Sequence, residues 1–187
     1  MKSYTQLNRR QLALGAASFL LIAGRTKAED ARVPRSHGKR TMKIVSYTSN
    51  EAPGTIIISN SKRTLHRVLG GGKAERYSIS VGRDGFIWTG TTYVGGKKEW
   101  PGWRPPSDMR RRSPSLPEYV PPGPYNPLGA RALYLYRGGR DTLYRIHGTN
   151  SADTIGGYET SGCFRLTNTD ILDLYKKVRS GTKVIVR

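Results

Sequence analysis

Residues 144–166 read YRIHGTNSADTIGGYETSGCFRL, and they carry the strongest signal for both the fold and the chemistry of the chain. Residues 143–146 predict a strand, and His147 stands at its end. A glycine-rich loop follows, and glycine lets the backbone turn sharply and approach other groups closely. Cys163 lies just after this loop. We therefore expect the chain to fold back and to bring the thiol of Cys163 toward the imidazole of His147.

These residue types suit nucleophilic catalysis. A thiol becomes a good nucleophile when it loses its proton, and a nearby imidazole can take that proton and hold the thiolate as an ion pair. Backbone N–H groups beside Gly162 could stabilise a tetrahedral oxyanion. In an extended stretch, Arg165 would point to the same side as the sulfur and could bind a substrate carboxylate. Spacing alone also leaves open an inert cysteine buried in the core.

The rest of the chain predicts a mainly β domain with one clear helix. Ile171, Leu174, Tyr175 and Val178 recur at helical spacing, Asn168 or Thr169 could cap the start, and Gly181 suits the stop. Segments rich in β-branched or alternating apolar residues predict strands. These predicted strands are residues 55–59, 64–69, 77–81, 89–94, 132–136, 143–146 and 184–186.

Nine of the eleven prolines lie in residues 101–127, which excludes a central strand there. A loop this long in a compact domain is usually functional or disordered. We expect it to pack over a cleft, because Trp100, Trp103, Tyr119 and Tyr125 give it aromatic surface to bury.

The N-terminus has the layout of a secretory signal peptide. Lys2, Arg9 and Arg10 precede a mostly apolar stretch that is too short to span a bilayer comfortably, and Ala28 offers a small residue for cleavage. The Arg9-Arg10 pair also resembles a twin-arginine export signal. The alternative is an uncleaved membrane anchor. We predict a signal peptide at residues 1–28, a linker at 29–42 and one domain at 43–187.

The charge and the cysteine count of the chain limit which binding partners and metal sites can be expected. The chain has a formal net charge of +19, and it stays strongly basic without the predicted signal. This charge favours anionic partners, but export and the absence of a nucleic-acid motif argue against nucleic acid. Cys163 is the only cysteine, so it cannot form an internal disulfide. With three histidines and no cysteine pair, a structural zinc site is not expected.

From about residue 55 to the end, the sequence resembles the L,D-transpeptidase catalytic domain family (YkuD), in its Gram-negative branch. The resemblance implies a mainly β, sandwich-like domain with one helix in the C-terminal region and the long Pro-rich loop. It is strongest in YRIHGTN at residues 144–150 and SGCFRL at 161–166, and it continues upstream in WPGWRPP at 100–106 and NPLGARAL at 126–133.

The resemblance also implies roles for single residues. Cys163 would be the nucleophile and His147 the base, and the carbonyl of Gly148 would orient the imidazole. The backbone N–H groups of Gly162 and Cys163 are candidates for the oxyanion hole. We expect the substrate to contact the side chains near them, which are Arg165, Ser161, Thr149 and Asn150.

Three departures from the family pattern stand out. Many members have a second histidine directly before the Gly-Cys pair, whereas this chain has Ser161. Phe164 and Leu166 replace an aliphatic residue and a methionine, which are apolar exchanges. Residues 86–90 read FIWTG where Thr-Pro-Thr-Gly is common, which leaves the contacts of that turn open.

The implied reaction takes place in the periplasm on peptidoglycan stem peptides, without metal or organic cofactor. The thiol would attack the bond after the third stem residue, release D-alanine and leave a thioester. A second stem peptide would then give a 3–3 cross-link, an outer-membrane protein would become attached to the wall, and water would give trimming. The exported domain would not insert stably into the membrane. The alternatives are a sortase-like cysteine peptidase, in which the arginine stands further beyond the cysteine, and a wall-binding module without catalysis.

Overall fold

The computed structural model describes residues 37–187. The predicted signal peptide and the first residues of the predicted linker lie outside the described residues. The elements of the described part are β1 Lys43–Ser46, β2 Ile56–Ser59, β3 Thr64–Gly70, β4 Lys73–Ser78, β5 Val81–Gly82, β6 Gly90–Glu99, α1 Ser107–Arg112, β7 Arg131–Arg137, β8 Arg140–His147, a 3-10 turn Ala152–Thr154, β9 Tyr158–Thr160, β10 Phe164–Arg165, α2 Asn168–Lys177 and β11 Lys183–Val186.

Nine of these strands form one sheet in the order β1-β4-β3-β2-β11-β6-β7-β8-β10, and β5 pairs with β9 separately. The pairs β2–β11 and β8–β10 are parallel. Ser80, shortly after β4, exchanges two backbone hydrogen bonds of 2.9 and 3.0 Å with Arg165 of β10. This bridge joins one end of the sheet to a strand near the other end, so the sheet curls round and faces itself.

The core fills the space inside this curled sheet. Alternating inward positions of β2 and β7, such as Ile56, Ile58, Leu133 and Leu135, belong to one apolar cluster with Leu174 of α2. The period-2 pattern of the sequence thus puts one face of each strand against the same core. The mainly β class and the helix in the C-terminal region are confirmed. The predicted strands 132–136 and 143–146 are present within β7 and β8, which pair antiparallel.

Three local predictions differ from the structure. The N-cap of α2 is Thr167 and not Asn168 or Thr169, because its extended backbone lets the hydroxyl accept the N–H of Asp170 at 3.1 Å. Strand β1 begins at Lys43, the first residue of the predicted domain, and is not among the predicted strands. β6 continues past residue 94 through Gly95, where the ring of Tyr136 leaves no room for a Cβ.

The start of α2 also anchors the segment that precedes β1. Asp170 is fully buried. Its carboxylate accepts hydrogen bonds from the N–H and hydroxyl of Thr41, at 3.0 and 2.7 Å, and from the N–H of Met42 at 3.3 Å. A buried carboxylate with several donors thus holds residues 41–42 against the helix.

We expect Asp170→Ala to lower the free energy of unfolding by about 3 kcal/mol, because it leaves buried donors without an acceptor. Urea denaturation followed by circular dichroism measures this change. Asp108→Ala is the control, since the ion pair of Asp108 with Arg111 is exposed and contributes little to stability. Equal urea midpoints for Asp170→Ala and the parent protein would contradict this role of Asp170.

Candidate active site

The parallel pairing of β8 with β10 positions the predicted catalytic residues. His147 stands opposite Arg165 in the register, and its carbonyl accepts the N–H of Leu166 at 2.9 Å. Cys163 lies two residues before Arg165. All three side chains, together with Ser161, line one cavity of about 830 Å³. The expected fold-back of the glycine-rich loop therefore takes place.

The imidazole of His147 has a defined orientation. Its Nδ1 lies 2.6 Å from the carbonyl oxygen of Gly148. A carbonyl oxygen only accepts hydrogen bonds, so Nδ1 must carry the proton and donate it. The unprotonated lone pair is thus left on Nε2. This arrangement agrees with the orienting role that the family resemblance implies for Gly148.

Burial decides the ionisation of the pair. Burial and, to a lesser extent, the charges of Arg165 and Arg145 together lower the pKa of His147 to about 4, and the Gly148 hydrogen bond opposes this shift. Burial also raises the pKa of the Cys163 thiol, although the backbone and charge of Arg145 and the charge of Arg165 oppose this. Cys163 is nevertheless partly exposed toward the cavity. Both shifts favour a neutral thiol beside a neutral imidazole over the resting ion pair expected from the sequence.

The turn before the nucleophile is held by two aromatic residues. Gly162 has a left-handed φ of 102°, and the ring of Tyr144 occupies the place that a Cβ would need. The indole Nε1 of Trp88 donates to the carbonyl of Gly162 at 2.8 Å. Trp88 also stacks on Tyr144, with centroids 4.6 Å apart. The departure at residues 86–90 thus supplies a direct contact to the nucleophile turn.

The two predicted oxyanion donors are not equivalent. The N–H of Gly162 donates to Thr160 Oγ1 at 3.2 Å, and that hydroxyl donates to the carbonyl of Cys163 at 2.6 Å. Gly162 N–H is therefore committed within the turn. The N–H of Cys163 is left as the stronger candidate for binding an oxyanion. Thr160 is a site residue that the sequence analysis did not single out.

Two of the predicted substrate contacts have structural partners instead and do not line the cavity. Thr149 is buried, and its N–H donates to Asn168 Oδ1 at 3.2 Å. Asn150 Nδ2 donates to the carbonyl of Tyr125 at 2.9 Å and so connects this loop to the Pro-rich segment. Ser161 and Arg165 do line the cavity.

The Pro-rich segment, residues 101–127, forms a wall of the cavity, as the sequence predicts. Trp103 and Val120 exchange backbone hydrogen bonds of 2.9 and 2.8 Å, and side chains of α1 face the cavity. The expected burial of all four aromatic rings is wrong, because Tyr125 is 81% exposed and Tyr119 is 44% exposed. Hydrogen bonds of Asn126 to the carbonyls of Val120 and Pro121 shape the end of the segment instead.

Arg165 is the half-buried cation next to the nucleophile. Burial lowers the pKa of its guanidinium, against the charges of Glu159 and Asp153, and its buried Nε has no hydrogen-bond partner within residues 37–187. Arg145, in contrast, pairs with Asp141 through two hydrogen bonds of 2.7 and 2.8 Å. Of these two arginines, Arg165 is therefore the one with a hydrogen-bond donor still available to a ligand.

Neither a metal site nor a membrane span is found in the described region. No group of three or more His, Cys, Asp or Glu side chains is arranged to hold a metal ion within residues 37–187. No helix in the same range is both long and apolar enough to cross a bilayer.

We expect the resting Cys163 to be a thiol at neutral pH. Thiolate absorbance at 240 nm should stay flat from pH 5 to 8 and rise only above the ordinary thiol pKa of about 8.5, because burial raises the pKa of Cys163. Cys163→Ser provides the baseline at each pH. Absorbance that exceeds this baseline between pH 5 and 7 would show a resting ion pair and refute the expectation.

Comparison with known proteins places this chain among L,D-transpeptidases. The sequence model of the YkuD family, described as the L,D-transpeptidase catalytic domain, matches residues 53–186. Probable L,D-transpeptidase ErfK/SrfK of Escherichia coli strain K12 is 45% identical over 118 residues, which is 59% of this chain and 36% of that protein. Probable L,D-transpeptidase YbiS of the same strain is 39% identical over 139 residues, which is 70% of this chain and 43% of that protein. The chain spans less than half the length of both relatives.

Solved structures share the fold. A Brucella melitensis protein, described as a probable carnitine operon oxidoreductase, is 42% identical with a TM-score of 0.55, and the match covers 80% of this chain and 94% of that one. An L,D-transpeptidase from Mycobacterium smegmatis is 19% identical with a TM-score of 0.53, over 73% of this chain and 59% of that one. The second likeness supports the fold alone. Since the family model covers nearly all of the domain that holds His147 and Cys163, the chain belongs to the L,D-transpeptidase catalytic domain (YkuD) family.

Proposed function

We propose that this enzyme is a periplasmic, cysteine-dependent L,D-transpeptidase that acts on peptidoglycan tetrapeptide stems through a thioester on Cys163. The observation that carries the proposal is the shared cavity of Cys163 and His147, in which Nδ1 of His147 is fixed on the Gly148 carbonyl. Nε2 is then the nitrogen available for proton transfer. Family membership supports the same reaction class.

The acylation step follows from this geometry. Cys163 Sγ attacks the carbonyl carbon between the third stem residue and the terminal D-alanine, and its proton moves to Nε2 of His147. The carbonyl oxygen takes the negative charge and accepts the N–H of Cys163. The intermediate collapses, the C–N bond breaks, and His147 returns the proton to the leaving amine of D-alanine. The product is a thioester with a neutral His147.

Deacylation reverses the proton route. An incoming neutral amine attacks the thioester carbon while His147 takes a proton from it, and the C–S bond then breaks. The sulfur leaves and regains a proton from the imidazole. The amine of a second stem peptide would give a 3–3 cross-link, and an amine of an outer-membrane protein would attach that protein to the wall. Water in the same position would trim the stem.

Arg165 supports binding of the donor peptide. Its guanidinium lines the cavity beside the sulfur, and its buried Nε has no partner in the described residues. A guanidinium binds a carboxylate with two parallel hydrogen bonds. We therefore assign to Arg165 a carboxylate of the donor close to the scissile bond.

The experiment for the reaction uses tetrapeptide muropeptides and mass spectrometry. We expect the enzyme to release D-alanine and to carry the acyl group of the donor peptide on Cys163. Cys163→Ala should lower turnover at least about 1,000-fold, because the nucleophile is gone. Equal thermal midpoints would show that the variant is folded. D-alanine release by Cys163→Ala at the parental rate would rule out the thioester. Muropeptide binding without any release would instead indicate a wall-binding module.

Trp88 should position the nucleophile turn. We expect Trp88→Phe to slow acylation of Cys163 by a carbapenem about 5- to 10-fold, because phenylalanine retains the stacking on Tyr144 but removes the hydrogen bond to the Gly162 carbonyl. Adduct formation is followed by mass spectrometry over time. Trp100→Phe is the matched control, since Trp100 does not line the cavity. If both variants acylate at the parental rate, the indole N–H does not position the turn.

A further inference from the structure

Two arginine side chains share one aromatic ring at the cavity wall. The guanidinium carbons of Arg83 and Arg112 each lie 4.7 Å from the centroid of the Phe86 ring, and all three residues line the active-site cavity. Arg83 follows β5, whereas Arg112 ends α1 in the Pro-rich segment. This arginine pair, Arg83 and Arg112, therefore lies where the Pro-rich segment meets the body of the domain.

The arginine pair borders the nucleophile turn. The backbone oxygen of Phe86 lies 3.3 Å from the position that a Cβ on Gly162 would occupy. The ring that carries the two guanidinium groups thus belongs to a residue in contact with the turn that precedes Cys163. A ligand group bound by the arginine pair would lie within the reach of a peptide that is held at the sulfur.

The charges of the arginine pair are not neutralised by the protein. Neither Arg83 nor Arg112 forms an ion pair with a carboxylate among residues 37–187. Two like charges near one ring repel each other, and an anion bound close to them would reduce that repulsion. Of the other arginines that line the cavity, Arg145 is already paired with Asp141. The wall near Phe86 therefore carries two guanidinium groups that form no ion pair with a carboxylate among residues 37–187.

We propose that Arg83 and Arg112 form a second carboxylate subsite, which binds a carboxylate of the donor peptide away from the scissile bond. This inference rests on the proposed function, because it needs a donor with more than one carboxylate. Arg165 binds the carboxylate close to the sulfur, and the arginine pair binds another one where the Pro-rich segment meets the body of the domain. Guanidinium groups are suited to this role, because their planar fork matches a carboxylate. Since Arg112 belongs to α1, the subsite also joins the Pro-rich segment to the substrate.

The test compares three donor tetrapeptides in the D-alanine release assay. One has free carboxylates, one is amidated at the second residue, and one is amidated at the side-chain carboxylate of diaminopimelate. We expect Arg83→Gln and Arg112→Gln each to raise KM for the free peptide about 5-fold. The increase should fall below about 2-fold on one of the amidated peptides, because the charge partner is then absent. Arg112→Lys should keep the sensitivity to amidation but lose part of the affinity, because an ammonium keeps the charge and not the planar fork.

Arg110→Gln is the matched control, because Arg110 is an exposed residue of the same helix and does not line the cavity. Carbapenem acylation of Cys163 in each variant shows that the catalytic pair is intact. Equal KM increases on all three peptides, or no increase on any, would overturn the subsite while the parent enzyme still releases D-alanine. A parent enzyme that releases no D-alanine from any peptide would overturn the proposed function and the subsite together.

Discussion

The short parallel pairing of β10 with β8 is the constraint on which the site depends. β10 has only two residues, Phe164 and Arg165, yet it is held on both sides. On one side Leu166 N–H donates to the His147 carbonyl, and on the other side Arg165 exchanges two backbone hydrogen bonds with Ser80. The same bonds that close the curled sheet therefore place the nucleophile turn next to the base. A two-residue strand would not hold this position without partners on both edges.

Burial, more than the local charges, sets the chemistry of the resting pair. Arg145 and Arg165 favour a thiolate on Cys163 but disfavour an imidazolium on His147, so their effects on an ion pair largely oppose each other. Burial disfavours both charged forms, and it is the largest cause of both pKa shifts. In the proposed reaction, proton transfer is most favourable when the negative charge moves on to the substrate oxygen, to which a backbone N–H can donate a hydrogen bond. Burial thus favours a neutral thiol over a standing thiolate in the resting protein.

The sequence predicts the parts of this protein that depend on local patterns. Stretches of β-branched or alternating apolar residues predict β2, β3 and β7, and helical spacing predicts α2. The spacing of His147, Gly162 and Cys163 within the family pattern indicates the catalytic pair. These signals are strong since each one is contained in a short stretch of the sequence.

The contacts between distant segments could not be predicted in this way. Strands β1 and β9 have only four and three residues, and pairing with β4 and β5 supplies their hydrogen bonds. Trp88 contacts Gly162, which lies 74 residues further along the chain. The local sequence of residues 86–90 cannot predict a contact with so distant a segment. Thr149 and Asn150 match the family motif beside the base, yet their hydrogen bonds go to Asn168 and Tyr125. The same sequence motif thus contains residues of the candidate site and residues that pack around it. Only the three-dimensional structure distinguishes these two groups.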